Sequence, residues 1–318
     1  MRQMSPRSSN AADYQHIPRP VAAMPKQFAD GHRIDWHRHP RSQLLFAIKG
    51  TMSIRTPRQL WVVPPLRALW VPGMTDHEVT MSGLVDMRTL YVEPAQSVLD
   101  AVTDVVPDVV PDVVPRTVPR TVPQTVPQTV PKTARQPVRE FVHLPAECVA
   151  MEVSPLLREL IVRATEMPTL YDDQGTEGLV IRLLLDEMVR APILPLSLPL
   201  PPAGELGNLC AHLLANPMAD ATLQSCAASL GMSSRTLARR FIDETGLTFG
   251  QWRQRSRIHQ AITRLSQGDS ITAIALDVGY ESPSAFTAMF RKTMGAAPSA
   301  MFGRATGRSN IVGTNAND

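Results

Sequence analysis

Two histidines separated by one residue, His37 and His39, are the side chains of this sequence best suited to metal chemistry. On a β-strand, residues i and i+2 point to the same face, so both imidazoles would face one site. Imidazole nitrogens bind zinc, copper, iron and nickel. The pair therefore predicts a site on one face of a strand, provided that the surrounding elements form a pocket.

A second set of chemically active side chains is cationic and lies toward the C-terminus. The net charge of +3 lies in the residues from 205 onward, since the first 204 residues carry equal numbers of basic and acidic side chains. A small excess indicates nucleic-acid binding only weakly, but its clustering indicates it better. The clusters are Arg235, Arg239 and Arg240; Arg253, Arg255 and Arg257; and Arg291 with Lys292.

Length and composition limit the class of protein. The 318 residues provide for two or three compact units. Three widely spaced cysteines predict neither disulfides nor a cysteine-based zinc site, which favours a reducing cytoplasm. No apolar run approaches the roughly 20 residues of a membrane helix. Residues 1–19 lack the apolar core of a signal peptide and are expected to be disordered.

The elements that would position these residues change type along the chain. Short segments over 43–92, rich in valine, leucine, isoleucine and tryptophan, predict an antiparallel sandwich or barrel, and 148–153 predicts one more strand. Apolar residues at helical spacing then predict helices over 154–166 and 174–190. The prolines of 191–202 predict a stiff linker.

The region from about 205 to 303 contains a near-duplicate. ASLGMSSRTLARRFIDETGLTF (228–249) and LDVGYESPSAFTAMFRKTMGAAP (276–298) each place a glycine before a serine and a helix that ends near a phenylalanine. The glycine supplies the left-handed residue that ends a first helix, and Ser233 and Ser282 are suited to cap the second. The duplicate therefore predicts two helix–turn–helix units, joined by a helix of about 18 residues, hence about 27 Å long.

At these residues the chain resembles the AraC family of bacterial transcription regulators, whose signature 274–298 follows closely except for Ala297, where serine or threonine is usual. The resemblance implies sequence-specific binding of double-stranded DNA, and effector sensing or dimerisation in the N-terminal part. RNA polymerase and a second copy of the chain are further partners that it allows.

Carried over position by position, the resemblance assigns base contacts to both second helices. Arginine is the usual partner of guanine, so the first helix is expected to read sequence and the second mainly to dock on phosphates. The base-reading residues would be Ser234, Arg235, Ala238 and Arg239 in the first unit and Ser284, Ala285 and Thr287 in the second. The backbone contacts would come from Ser233, Arg240, Arg253, Arg255, Ser282, Arg291 and Lys292.

The N-terminal region resembles the cupin motifs, from Gly31 to Gly50 and again at Pro72 and His77, with Gln43 where glutamate is usual. By this resemblance His37, His39 and His77 could meet as three metal ligands with Gln43 as a weak fourth. The same residues could instead hold an organic effector or simply pack, and glutamine brings no charge for a cation. The expected effector pocket comprises His37, His39, Gln43, Trp70 and His77, and Trp36, Trp61 and Trp70 are expected in the core or the pocket wall.

Together these features predict an α+β multidomain chain that is not an enzyme and needs no cofactor. A metal-dependent cupin enzyme fused to a DNA-binding domain, and a constitutive DNA binder whose barrel only dimerises, are the alternatives. The predicted parts are a disordered start (1–19), a cupin-like antiparallel β-barrel sensor (20–153), a helical connector (154–190), a proline-rich linker (191–204), an all-α domain with two helix–turn–helix subdomains (205–303) and a flexible tail (304–318).

One further segment, VVPDVVPDVVPRTVPRTVPQTVPQTVPK (105–132), repeats a four-residue unit seven times. It lies between predicted strands and thus within an insertion over 95–137 of the sensor. Lengthening a surface loop costs only about 0.6 kcal/mol per doubling. The repeat is therefore interpreted as a tolerated insertion rather than a dedicated binding arm.

Overall fold

A computed structural model describes residues 8, 10–93, 144–216 and 221–302. The repeat at 105–132, the insertion over 95–137 and the tail from 304 lie outside the described residues. Within them, an N-terminal antiparallel sheet is followed by helices, which confirms the predicted change of element type along the chain. None of the described helices combines the length and apolarity needed to span a membrane.

The described strands form a single antiparallel sheet. They are β1 (Val21–Phe28), β2 (Arg33–His37), β3 (Ser42–Arg55), β4 (Gln59–Val63), β5 (Arg67–Val71), β6 (His77–Val92), β7 (Val149–Glu152), β8 (Ile193–Leu194) and β9 (Ser197–Pro199). The main path runs β1-β6-β3-β5-β7-β8, with β2 beside β6 and β4 between β3 and β9. The last strand predicted before the helices is confirmed as β7.

Two strands are longer than predicted. The sequence suggested a break at Gly50, but β3 continues through it, and the register with β6 shifts between Ala47 and Thr51. Gly50 has φ of +78°, so it forms a bulge inside one strand rather than a turn between two. β6 likewise continues over 16 residues. No strand is predicted before residue 43, because Pro25 interrupts the pattern of β1, which lies at the end of the main path.

The expected disorder of residues 1–19 is wrong for the described residues 10–19. A short 3-10 helix, Ala11–Tyr14, lies against the sheet, and Tyr14 is buried and stacked on Tyr91 with ring centroids 6.0 Å apart. The buried guanidinium of Arg41 donates to the carbonyls of Gln15 at 3.1 Å and Ile17 at 2.6 Å. Hydrogen bonds to a buried charge are strong, so this arginine holds the segment in place.

Two helices cover one face of the sheet. The helices α1 (Pro155–Glu166) and α2 (Thr176–Arg190) confirm the predicted pair and pack on Leu44 and Phe46. The alternate residues Leu45 and Ala47 point to the opposite face, whose core also contains residues of the C-terminal helices. The sheet therefore separates the helical connector from the C-terminal region.

The C-terminal region is helical throughout its described residues. Its helices are α3 (Glu205–Ala215), α4 (Leu223–Ser229), α5 (Ser234–Thr245), α6 (Phe249–Ser266), α7 (Ile271–Asp277), α8 (Pro283–Met294) and α9 (Pro298–Phe302). The spacer helix predicted between the two near-duplicate copies is confirmed as α6, with 18 residues.

The segment 191–204 differs from its prediction as a linker. It contributes β8, which pairs with β7, and β9, which pairs with β4. Proline lacks a backbone donor, yet β9 uses Pro199 at its end, opposite Gln59. The segment is thus part of the sheet and not a tether that stands apart from it.

Candidate functional site

The first helix–turn–helix consists of α4 and α5. Gly231 between them has φ of +63°, the left-handed conformation that ends a helix. The hydroxyl of Ser233 accepts the backbone N–H of Thr236 at 3.1 Å and caps α5. Leu237 and Phe241 are fully buried. The predicted turn, cap and inward face are confirmed in this unit.

The second helix–turn–helix, α7 and α8, repeats these features. Gly279 has φ of +81°, and the Ser282 hydroxyl accepts a backbone N–H three residues on at 3.2 Å. Pro283 is the first residue of α8, where its missing N–H has no partner to lose. Phe286 and Phe290 are fully buried, with ring centroids 5.7 Å apart. Both units therefore fix one helix by a buried face and leave the other face outward.

The outward face of α5 is cationic. Arg235 and Arg239, one turn apart, are exposed, whereas Ser234 and Ala238 are half-buried beside them. Neither guanidinium forms an ion pair or a hydrogen bond with another described side chain, in contrast to that of Arg240. Two guanidiniums on one helical face can form bidentate hydrogen bonds with base edges.

The outward face of α8 is small and weakly polar. Ser284 and Ala285 are exposed, and Thr287 is half-buried. The Thr287 hydroxyl donates to the carbonyl of Pro283 at 2.8 Å, so its proton is used within the helix. Compared with α5, this face offers little hydrogen bonding to bases.

The residues assigned to phosphate contacts differ in availability. Arg291 and Lys292 are exposed in the last turn of α8. Ser233 and Ser282 already act as caps. Arg240 is paired with Glu205 at 3.2 Å and Glu244 at 3.0 Å, so a phosphate would have to compete with two carboxylates.

Two arginines of α6 do not fit their assignment to the DNA backbone. Arg253 is only 5% exposed, and Arg255 donates to the carbonyl of Ser197 at 3.0 Å. The helix packs against the sheet and against other C-terminal helices, so it has little free surface. An arginine cluster in the sequence therefore does not by itself indicate a solvent-facing patch.

The three histidines of the N-terminal region meet beside the sheet. Ring centroids are 4.3 Å apart for His37 and His77, 5.3 Å for His39 and His77, and 5.9 Å for His37 and His39. One nitrogen from each lies within 4.8 Å of the others. The expectation that His37 and His39 share one strand is wrong, because β2 ends at His37 and His39 follows it.

Each histidine has its Nδ1 beside a backbone carbonyl. The distances are 2.8 Å from His37 to Asp35, 2.5 Å from His39 to Arg41 and 2.8 Å from His77 to Thr75. A carbonyl oxygen can only accept, so the proton of each neutral ring lies on Nδ1. The lone pair of each ring is then on Nε2.

The amide of Gln43 adjoins this cluster. Its Nε2 donates to Thr89 Oγ1 at 2.8 Å, while its Oε1 lies 3.0 Å from His39 Nε2. Burial lowers the pKa of His39, and it lowers the pKa of His77 to about 4. Both rings are therefore neutral near pH 7.

A cavity of about 470 Å³ opens beside the cluster. Its wall combines apolar residues of the sheet with a few polar and cationic groups. The lining residues are Asn10, Ala11, Met24, Lys26, Phe28, His32, Arg33, Ile34, His37, Gln43, Leu45, Val79, Met87 and Tyr91.

The tryptophans do not line this cavity. Trp70 is buried on the face covered by α1 and α2, where its Nε1 donates to the carbonyl of Pro145 at 2.8 Å. Its assignment to the effector pocket is therefore wrong. Trp70 pairs with Leu44 and lies on the same face of the sheet, whereas Gln43 and Leu45, the neighbours of Leu44 in β3, line the cavity. Trp61 lies in the core as expected, whereas Trp36 is 45% exposed and the expectation for it is wrong.

Comparison with known proteins shows what the two helix–turn–helix units resemble. Residues 226–304 match the family model described as "Helix-turn-helix domain". The HTH-type transcriptional regulator NimR of Escherichia coli (strain K12) is 28% identical over 270 residues, which are 85% of this chain and 82% of that regulator. The chain carries an AraC-type helix–turn–helix domain. It is homologous to HTH-type transcriptional regulators.

Two further relatives are similar over different shares of the chain. The HTH-type transcriptional regulator RipA of Corynebacterium glutamicum is 36% identical over 101 residues, 32% of this chain and 30% of that protein. The crystal structure of unsaturated fatty acid bound wild-type ToxT from Vibrio cholerae covers 90% of this chain and 96% of that one, with 11% identity and a TM-score of 0.32.

The AraC-type domain contacts the segment that precedes it through three side chains of α6. Trp252 Nε1 donates to the carbonyl of Pro199 at 2.8 Å, and His259 Nε2 donates to that of Leu196 at 2.9 Å. Arg255 makes the third contact, between them. Their spacing of three and four residues places them on one helical face. In the sequence, this contact is visible only as a stripe of one aromatic and two polar residues, Trp252, Arg255 and His259, along one face of α6.

A fourth contact joins the sheet to the end of α8 in the AraC-type domain. The buried side chain of Arg67, in β5, donates to the carbonyl of Met294 at 2.6 Å. Carbonyls at a helix C-terminus lack partners within the helix and attract cations. The two residues lie 227 positions apart, so no local pattern could have revealed this pairing.

Proposed function

We propose that the chain is a sequence-specific regulator that reads base edges mainly through α5. The observation that carries this proposal is the exposed pair Arg235 and Arg239 on a helix whose opposite face is fixed by Leu237 and Phe241. Each bidentate arginine–guanine contact discriminates by about 1–3 kcal/mol. Ser234 and Ala238 border the same surface and make contacts of shorter reach.

The second unit docks mainly on phosphates. Arg291 and Lys292 provide the charge, while Ser284, Ala285 and Thr287 offer short side chains to the groove. Arg240 joins the phosphate contacts if DNA displaces its carboxylate partners. We leave Arg253 and Arg255 out of the interface, since Arg253 is buried and Arg255 donates to the carbonyl of Ser197.

The test of DNA reading begins with selection of duplexes from a random library by the full chain. Binding of the selected duplex is then measured by fluorescence anisotropy for wild type, R235A and R239A, with R190A as the control. Arg190 is exposed in α2, away from the AraC-type domain. We expect a loss of roughly 10- to 100-fold in each α5 variant and none in R190A. Equal affinity in all four proteins would contradict the assignment.

We further propose that the cavity of about 470 Å³ holds a small, partly apolar effector. Apolar side chains such as Met24, Leu45 and Met87 provide contact area, and Gln43 and His37 provide orientation. The cavity has the size of a ligand site, and we assign no enzymatic reaction to it. The regulator would act in the cytoplasm, where its DNA partner lies.

The coupling between effector and DNA follows the sheet rather than α1 and α2, which pack on its other face. Gln43 in β3 pairs with Val71 in β5, and Arg67 of the same strand holds the end of α8. A ligand shifts DNA affinity only as far as it prefers one arrangement over the other. Displacement of β5 by an effector would move the end of α8.

The effector site is tested by thermal-shift screening of small organic acids and apolar metabolites. Any compound that raises the melting temperature is retested on I34W, which fills part of the cavity, and on L84W, which adds the same side chain at an exposed position outside it. Loss of the shift in I34W alone supports the site. Equal shifts in melting temperature for both variants would show that the compound binds outside the cavity. A compound that binds but leaves the DNA affinity unchanged would indicate a constitutive DNA binder.

A further inference from the structure

We propose that Arg257 of α6 binds a DNA phosphate on the stretch of backbone that runs between α5 and α8. The inference rests on the proposed DNA binding, and it adds a fixed cation of α6 to the contacts proposed for those two helices. A phosphate contact carries no sequence information. It can therefore be tested on any duplex that the chain binds, whether or not the chain selects one sequence over others.

The first argument is that the guanidinium of Arg257 lacks an anionic partner. Among the described residues it forms no ion pair and no hydrogen bond, and its Nε is buried without an acceptor. Arg240 and Arg264 of the same domain are each paired with two carboxylates. A half-buried cation has lost part of its hydration, which an anion would replace. Arg257 thus keeps its donors available, unlike the arginines that bind within the domain.

The second argument is the positive charge beside Arg257. Arg253 lies one turn earlier on α6 and interacts electrostatically with the thiol of Cys226 in α4. Burial lowers the pKa of Arg253, and the positive charge of Arg257 lowers it further. The two guanidiniums are therefore close enough to repel each other. Like charges at this spacing create a positive potential that attracts an anion.

The third argument is that the second helix–turn–helix unit fixes the position of the guanidinium. Its carbon and both terminal nitrogens pack on Gly279, where a Cβ would lie only 3.3 Å from Cζ. The next residue, Tyr280, is hydrogen-bonded to Gln254 of α6, and its ring packs on Phe286 with centroids 5.7 Å apart. A cation held in place by such contacts loses less entropy when it binds a phosphate.

The position of Arg257 on α6 also suits this contact. It lies near the middle of the helix, roughly opposite the face on which Trp252, Arg255 and His259 contact the segment 191–204. Helices that enter successive major grooves lie about 34 Å apart along the DNA. With α5 and α8 in such grooves, the backbone between them passes the middle of α6.

The experiment measures the affinity of the full chain for the selected duplex and for a scrambled duplex over a series of salt concentrations. The test variants are R257M, which keeps an apolar stem and removes the charge, and R257K, which keeps the charge. The control is R190M, which makes the same change at an exposed arginine of α2. Circular dichroism and thermal melting establish that each variant is folded.

We expect R257M to bind both duplexes roughly 10-fold more weakly and to lower the slope of log affinity against log salt concentration by about one. R257K should keep the wild-type slope, and R190M should match wild type. A wild-type slope in R257M would overturn the contact even if the affinity falls, because a structural role changes affinity without changing the number of neutralised phosphates. Failure of sequence reading would appear separately, as equal affinity of wild type for the two duplexes.

A second measurement locates the phosphate. Uncharged methylphosphonates replace, one at a time, the phosphates between the two halves of the selected duplex. We expect one replacement to weaken the binding of wild type roughly 10-fold and to leave that of R257M unchanged. Equal effects on wild type and R257M at every position would overturn the assignment to this stretch of backbone.

Discussion

The buried side chain of His259 makes the contact between α6 and the segment 191–204 depend on pH. Its Nε2 donates to the Leu196 carbonyl, and its Nδ1 has no hydrogen-bond partner among the described residues. Burial lowers its pKa to about 4, and the charge of Arg255 acts in the same direction. The folded protein therefore keeps this ring neutral at a pH at which the unfolded chain protonates it.

The consequence is a loss of stability as pH falls from about 6.5, the ordinary value, toward 4. In this window the unfolded state binds one proton more, so the free energy of unfolding decreases with falling pH. The contribution of this residue between pH 7 and pH 5 is about 2 kcal/mol. Urea unfolding at the two pH values should show a smaller difference for H259Q than for wild type, while H16Q, at an exposed histidine, should match wild type. Identical pH dependence in all three would refute the account.

Residue types and their spacing predicted the roles of some single side chains but not of others. The capping serines were predictable because a cap depends on local sequence. Trp70 and Arg253 were misplaced, because the face on which a side chain lies depends on what packs there. Arg67 was not predictable, since its partner carbonyl lies far along the chain.

At the scale of elements, we propose unequal tasks for α5 and α8 in DNA binding. Arg235 on α5 should be specific for one base pair, so R235A should relax discrimination at one position and cost about 1–3 kcal/mol there. Arg291 on α8 should contact phosphate, so R291A should weaken the binding of all duplexes alike. It should also reduce the slope of log affinity against log salt concentration by about one. A scan of single base-pair changes under each half of the site measures the discrimination, and a salt titration of each variant measures the salt dependence. Stronger discrimination under α8 than under α5 would reverse the assignment.

The helices were predictable because their caps, glycines and apolar spacing are local signals. The strands were harder. β1 contains a proline and β3 contains a glycine, and both interrupt the expected pattern without ending the strand. β8 and β9 are two and three residues long and exist only through pairing with distant strands. Such pairing is not encoded in the segment itself.

At the scale of the whole molecule, Arg67 joins the sheet to the AraC-type domain. The variant R67M leaves the Met294 carbonyl buried without its donor, which should cost about 1–3 kcal/mol. We expect calorimetry to show a lower melting temperature and an earlier, separate transition of the helical region. The control is R163M, at an exposed arginine of α1. A melting profile of R67M equal to that of R163M would show that this contact does not join the two regions.

The repeat at 105–132 allows a second test at this scale. The described chain ends before it in β6 and resumes after it near β7. If the repeat is the tolerated insertion that the sequence predicts, its length costs only about 0.6 kcal/mol per doubling, and removal of these residues should leave the melting temperature and DNA affinity close to those of the full chain. Loss of an effector response upon deletion would show that the repeat has a function.

We propose that the AraC-type domain distinguishes one DNA sequence from others through α5. The most direct measurement is the ratio of affinities of the full chain for its selected duplex and for a scrambled duplex of equal composition, at one salt concentration near physiological. Specific regulators bind their sites about 10³-fold or more tighter than other DNA. We predict a ratio of that order for wild type, reduced toward one in the R235A/R239A variant. A ratio near one for wild type, or an undiminished ratio in the variant, would contradict the account.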